Sequence, residues 1–156
     1  MHLAQLNIAK VKYSLGSLEI KEFVDNLEPV NKLAESSSGF IWRLQDEGGD
    51  ATNLTAFSDP DIIVNMSVWD SIEALKNFMF RTGHRDFLRR KKEWFHNIAD
   101  DSYVLWWVPK DHIPTMEEAV EKLEFLRNNG DTAYAFTFKS NFSVQEFVAS
   151  NDSQAN

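Results

Sequence analysis

Between Leu3 and Tyr13 the chain alternates, Leu6 and Ile8 against Asn7 and Ala9, then Val11 and Tyr13 against Lys10 and Lys12, which predicts a half-buried strand. After Gly16 the period lengthens. Ile20, Phe23, Val24, Leu27, Val30 and Ala34 recur at three- and four-residue spacing, a helix that Ser17 can cap and that Pro29 should bend or split. Ser36-Ser37-Ser38-Gly39 ends it, and Phe40 to Gln45 reads as a second strand with Trp42 and Leu44 opposite Arg43. A polar loop from Asp46 to Pro60 leads to a third strand, Ile62 to Trp69. Asp70-Ser71-Ile72-Glu73 then predicts a capping box, with Asp70 as the cap, opening a helix that carries Ala74, Leu75, Phe78 and Met79. Thr82-Gly83 interrupts that helix, and the pattern resumes with His84, Phe87, Leu88, Lys91, Phe95 and Ile98 on one face.

Tyr103 to Val108 predicts a fourth strand, stopped by Pro109. Pro114 to Glu118 opens a further helix, apolar at Ala119, Val120, Leu123 and Leu126 and closed by Gly130. Tyr134 to Phe138 alternates as a fifth strand, and Ser150 to Asn156 reads as a flexible polar tail. The prediction is therefore one α+β domain over residues 1–149, with a β-α-β-β-α-β ferredoxin-like core and an additional C-terminal helix and strand.

Composition narrows the chemistry. A chain of 156 residues, 43% hydrophobic, should bury roughly 70% of its extended surface and needs no metal or disulfide to fold. Without cysteine, thiolate catalysis and cysteine-ligated metal centres are excluded. A net charge of −8 argues against nucleic acid as a partner, because neutralising phosphates takes surplus positive charge. No run approaches the length of a membrane span and the first residues lack the marks of a signal peptide, so the expected location is the cytoplasm, with no membrane partner. Five tryptophans and twelve phenylalanines suggest a dense core or a pocket for a flat apolar ligand.

Residues 81–92 hold six Lys or Arg and one acid, which leaves ten basic and twenty-three acidic side chains elsewhere. Arg81, Arg85, Arg89 and Lys92 share one helical stripe, either a solvated face or an anion site. His84 shares a face with Phe87, Leu88 and Phe95, so it is read either as a structural histidine, as a base or substrate contact, or as a haem iron ligand. Asn7, Asn65 and Ser67 are polar positions on strands; parity puts Asn65, Ser67 and Trp69 on one face, facing either helices or a second sheet. Trp106 and Trp107 must point to opposite sides, and an inward Arg43 needs an anionic partner or a ligand.

The junction Val68-Trp69-Asp70-Ser71-Ile72-Glu73-Ala74-Leu75, followed by Phe78, resembles the third-strand and second-helix signature of the dimeric α+β barrel superfamily, which includes antibiotic-biosynthesis monooxygenases and haem-degrading enzymes. The segments Leu3 to Ala9, Gly39 to Gln45, Asn65 to Trp69, His84 to Leu88, Glu93 to Phe95, Leu105 to Pro109 and Pro114 to Ala119 resemble more closely one family of that clan known only as a domain of unknown function. The resemblance implies a homodimer with a pocket between sheet and helices, and a cofactor-independent monooxygenase or related oxidoreductase acting on an aromatic or polyketide-like small molecule. Catalytic candidates are then His84, Asn7 and Asn65, and substrate-binding candidates are Trp69, Phe78, Arg81, Arg43, Trp94 and Trp106. The haem-degrading relatives use a tryptophan on the second helix where Phe78 stands here, a departure that weakens the resemblance to them. A non-catalytic domain binding a flat hydrophobic ligand, and a haem protein using His84, are the alternatives.

Overall fold

Ten residues, His2–Val11, with Leu3 to Leu6 buried on both sides, form the strand β1 at the centre of an antiparallel sheet. The computed structural model describes residues 1–45, 57, 59–81 and 84–154, the side chains of 81, 84–88 and 154 excepted. β1 pairs with β3 (Ile62–Trp69) on one side and with β5 (Tyr103–Val108) on the other. β2 (Phe40–Arg43) lies outside β3, and a two-residue strand β4 (Phe95–His96) meets the end of β1 at Lys10 and Val11. The spatial order β2-β3-β1-β5 is that of a ferredoxin-like core, as the alternation predicts.

The helices are α1 (Lys21–Asp25), α2 (Leu27–Glu35), α3 (Ile72–Arg81), α4 (His84–Trp94), α5 (Met116–Asn129) and α6 (Val144–Gln154). The break in the first helical stretch falls at Asn26, and Pro29 sits in the first turn of α2, where its missing N–H costs nothing. Ser17 caps nothing and donates instead to the Ser14 carbonyl. Ser71, rather than Asp70, caps α3 by accepting from the Ala74 N–H at 3.1 Å. Thr115 caps α5 and Gly130 closes it at φ +74°, as expected.

Three expectations change on the C-terminal side. α4 ends at Trp94, so Phe95 and Ile98 do not extend its face; Phe95 pairs with Val11 instead. The stretch Tyr134 to Phe138 makes a single bridge, Phe136 to Leu105, rather than a strand. Side chains intercept its backbone: the Thr137 N–H donates to Asp131 Oδ1 and the Lys139 N–H to Thr137 Oγ1, so ladder hydrogen bonds are replaced by local ones. Residues 150–154, read as tail, are the last turns of α6. A reciprocal capping box opens that helix, with the Ser143 N–H on Glu146 Oε2 and the Glu146 N–H on Ser143 Oγ.

The sheet buries both faces. Ala4, Leu6 and Ile8 point to one, with Val64, Met66, Val68, Val104, Trp106 and Val108, beneath Ala119, Leu123 and Leu126 of α5. Leu3, Trp69, Leu105 and Trp107 point to the other, beneath Ala34 of α2 and Ala74, Leu75 and Phe78 of α3. Val11, Ile20 and Trp94 form a third cluster at the far end of β1.

The two buried indoles of β3 and β5 differ in one bond. Trp69 donates to Ser67 Oγ at 2.8 Å, whereas Trp106, with none of its surface exposed, has an indole N–H without an acceptor among the described residues. A buried unsatisfied donor costs about 1–3 kcal/mol, which offsets much of the packing lost on shrinking the ring. Trp106→Phe is therefore expected to change stability by less than about 1 kcal/mol, and Trp69→Phe to cost at least that much more. Urea unfolding of the two variants checks the ordering.

Candidate functional site

Residues directly opposite in an antiparallel pair present their side chains to the same face. On the face carrying α3, the register stacks three rows across the sheet. The first, Trp107, Leu3, Trp69 and Phe40, is apolar. The second is Leu105, Gln5, Ser67 and Arg43, and the third is Tyr103, Asn7 and Asn65. The change from apolar to polar across one step of the pleat creates the candidate site.

Gln5 organises it. Its amide Nε2 donates to Asn65 Oδ1 and to Ser67 Oγ, both at 2.7 Å, and Ser67 Oγ also accepts from Trp69. Both amide hydrogens of Gln5 are used, so its rotamer is fixed, and with only 8% of its surface exposed it is itself part of the interior. Because Asn65 Oδ1 is taken, the NH₂ end of this exposed side chain is what the ladder offers outward. Half-buried Asn7 lies opposite it in register. The floor therefore presents amide donors on a rigid strand rather than on a loop.

Aromatic rings flank the third row. Tyr103 and Phe138 lie 5.7 Å apart between centroids, and Phe138 meets the exposed Phe80 of α3 edge-on at 6.0 Å. The Phe138 N–H donates to the Tyr103 hydroxyl at 3.1 Å, which leaves the phenolic proton free to be given elsewhere. At one end of the polar rows Phe78 stacks on Trp69 with centroids 5.3 Å apart; at the other, Trp94 packs against Phe23 at 5.6 Å. Chemically, a floor of hydrogen-bond donors beside aromatic rings suits a flat ring bearing oxygen acceptors.

The sequence-predicted residues fall into place unevenly. Asn7, Asn65, Trp69, Phe78 and Arg43 share this face. Arg43 finds the anionic partner its position requires, because its Nε donates to Glu35 Oε1 of α2 at 2.8 Å and the guanidinium side chain is only 13% exposed. Trp69 and Phe78 support the ladder from behind. Trp94 is on the same side but belongs to the cluster at the far end, beneath the Arg90 guanidinium, 4.8 Å from its ring. That guanidinium is held by the carboxylates of Glu22 and Glu93, which raise its pKa, so this member of the basic run is paired. Trp106 is not a site residue: it points to the opposite face, under α5, because Trp107 takes the side of α3. The side chains of Arg81 and His84, and with them the base and haem readings of His84, lie outside the described residues, as do Thr82-Gly83 and most of the loop after Asp46.

Gln5 and Tyr103 are the residues the sequence reading passed over. The signal for Gln5 was present, since it shares the parity of Asn7 on a strand otherwise apolar on that face.

A shallow groove of about 470 Å³ runs along the start of α3, lined by Ser37, Ser38, Asp70, Ser71, Asn77 and Phe78 among others, and includes none of Gln5, Asn7 and Asn65. Among the described residues, no three His, Cys, Asp or Glu side chains are grouped to hold a metal ion, and no helix is long and apolar enough to cross a membrane.

A family model described as a domain of unknown function, DUF3291, matches residues 2–152. Among solved structures the chain is similar to a conserved protein from Methanosarcina mazei Go1, at 12% identity and TM-score 0.49 over 70% of this chain and 94% of that one. It is also similar to a putative antibiotic biosynthesis monooxygenase from Chloroflexus aurantiacus J-10-fl, at 16% identity and TM-score 0.45 over 72% and 97%. A third likeness is to SnoaB, a cofactor-independent oxygenase from Streptomyces nogalater, at 13% identity and TM-score 0.46 over 73% and 98%. None of the curated proteins compared matches the chain.

Proposed function

The chain belongs to the DUF3291 family, and from that premise we propose that the polar rows beneath α3 bind a flat, oxygen-bearing aromatic or polyketide-like molecule and promote its oxidation by O₂ without a cofactor. The observation that carries this reading is the Trp69–Ser67–Gln5–Asn65 ladder, which fixes the Asn65 amide donors at an exposed position between two apolar anchors. The reaction is a four-electron reduction of O₂ balanced within the substrate: an activated ring methylene loses a proton, its enolate carbon takes up O₂, and the peroxide so formed collapses to a ring carbonyl and water. Developing negative charge on the substrate oxygen is what Asn65, Asn7 and the Tyr103 hydroxyl would stabilise. The sequence nominates His84 for the proton. Arg43, already paired with Glu35, holds the edge of the floor rather than a free anion.

The test is oxygen uptake with a panel of phenols and anthrones. Loss of one preorganised donor costs about 10²–10³ in rate, so Asn65→Ala should lower uptake by that order, and Gln5→Ala, which frees the Asn65 amide to turn, by a comparable one. Uptake unchanged in both variants would sink the role of the ladder. A second reading, a binding or sensory domain for the same kind of ligand, is favoured by one feature: the described floor consists of amides, hydroxyls and a guanidinium paired with Glu35, all of them hydrogen-bonding groups suited to holding a ligand. It predicts saturable quenching of tryptophan fluorescence without oxygen uptake.

A further inference from the structure

The face of the sheet opposite the candidate site is apolar from edge to edge. Ala4, Leu6, Ile8, Val64, Met66, Val68, Val104, Trp106 and Val108 all lie there, and each is 5% exposed or less within a single chain. Such a face must be covered, either by a second copy or by the chain itself. Here the cover is α5, which lays Ala119, Leu123 and Leu126 against β5 and β1, with Phe125 and Tyr134 beside them, while Trp42, Leu44 and Ile62 close the β2–β3 side.

The cover is fixed at both ends. Thr115 caps its start, the His112 ring lies 3.0 Å from both Glu118 oxygens, Arg127 Nε donates to the Asp101 carbonyl at 3.0 Å, and the Gly130 N–H returns to Leu126. Its outward side carries exposed Glu117, Glu121 and Glu124. A second copy meeting α5 head-on would set these carboxylates against their own copies, and a second sheet could reach the face only by displacing the helix. The groups of the candidate site, Gln5, Asn7, Asn65, Ser67 and Tyr103, lie on the other face of the sheet, away from α5.

We propose that α5 is an intramolecular cover standing where a second sheet would otherwise pack, so that one chain is the complete folded and binding unit and two copies do not join sheet to sheet. This departs from the homodimer that the sequence resemblance implies, and it stands independently of the oxygenase reading.

The experiment combines sedimentation velocity with hydrogen exchange on the full chain. The expected result is the mass of one chain over a wide range of concentration, with the amides of α5 protected to within about tenfold of those of β1 and β5. A concentration-dependent species of two chains, or α5 amides that exchange as freely as the chain ends, overturns the proposal. The double substitution Leu123→Ser, Leu126→Ser loosens the cover. It should raise binding of a hydrophobic dye at least severalfold and shift the mass toward two chains or larger; an unchanged mass, dye signal and unfolding midpoint would show that α5 is not the cover. Should that variant fail to fold, the wild-type mass and exchange pattern still decide.

Discussion

Gly39→Ala is expected to lower stability by about 3 kcal/mol, a fall in Tm of roughly 6–12 °C for a chain of this size. Two costs add. Gly39 stands at φ +85°, a conformation that costs an L-residue about 1–2 kcal/mol. A Cβ there would also lie 2.5 Å from Ala74 Cβ, which is fixed to the backbone of α3, and closer still to a carboxylate oxygen of Asp70, which would have to turn away. The same contact reaches the candidate site. The Gly39 carbonyl accepts the Asp70 N–H at 2.8 Å, and the neighbouring Phe40 ring packs edge-on against Trp69 at 5.5 Å, so a displaced β2–α3 corner disturbs the indole that holds Ser67. Gly16→Ala is the control: no atom of the described residues lies within 4 Å of its Cβ position, and the change should be neutral or slightly stabilising. Thermal unfolding of both variants decides, and equal midpoints would refute the packing argument.

Lys122→Met should act in the opposite direction. Lys122 lies on the inner side of α5, 7% exposed, with its ammonium 3.1 Å from the centroid of the Tyr134 ring. Burial pushes its pKa down to about 8, against the weaker opposing pull of Glu121 and Glu118. A folded-state pKa below the unfolded value of 10.5 means that the unfolded chain holds the proton more tightly, and the cost of keeping Lys122 charged at pH 7 is on the order of 3 kcal/mol. The contact with Tyr134 returns up to about 2 kcal/mol of that. Methionine keeps the stem and removes the charge, so a gain of about 1–2 kcal/mol at pH 7 is expected.

The pH profile separates this cause from better packing. In the wild type the penalty is relieved as pH rises from about 8 towards 10.5, so stability should climb through that window, and in Lys122→Met the climb should vanish. Tyr134 bears on the upper limit. Burial and the Glu121 carboxylate, whose oxygens lie 2.8 and 2.9 Å from its hydroxyl, push its pKa up to about 12, so its contribution is present below pH 10 and is lost between 10 and 12. The wild-type curve should therefore rise and then fall, and the variant should only fall. Denaturant midpoints measured from pH 7 to 11 give both curves; the same slope in the two proteins between pH 8 and 10 would show that Lys122 is not the group titrating.

How far the sequence carried the candidate site depends on the range of the forces involved. Parity along β3 put Asn65, Ser67 and Trp69 on one face because successive side chains of a strand must alternate, and no tertiary contact can change that. Thr115 and Gly130 announced both ends of α5 because capping is settled within a turn or two of chain. Where two local signals competed, sequence alone chose wrongly: Ser71 displaced Asp70 as the cap of α3, and the alternation of Tyr134 to Phe138 yielded to hydrogen bonds from Asp131 and Thr137. The capping box at Ser143 and Glu146 is legible in the sequence, yet the reading assigns no element there, because the apolar pattern that follows it is weak.

The strand alternation, the ferredoxin-like order of elements, the family and the polar positions on the strands are all legible in the amino-acid order, since each is written in residues close together along the chain. Packing between distant segments settles which way those polar positions face, that Gln5 binds residues sixty or more positions away, that Glu35 neutralises Arg43, and that Trp106 lies beneath α5 rather than beside the site. A period-two pattern fixes two faces but leaves them equivalent until helices pack on them. Which helix covers which face is settled by burial summed over the whole sheet, a sum to which every strand contributes and that no single stretch of sequence contains.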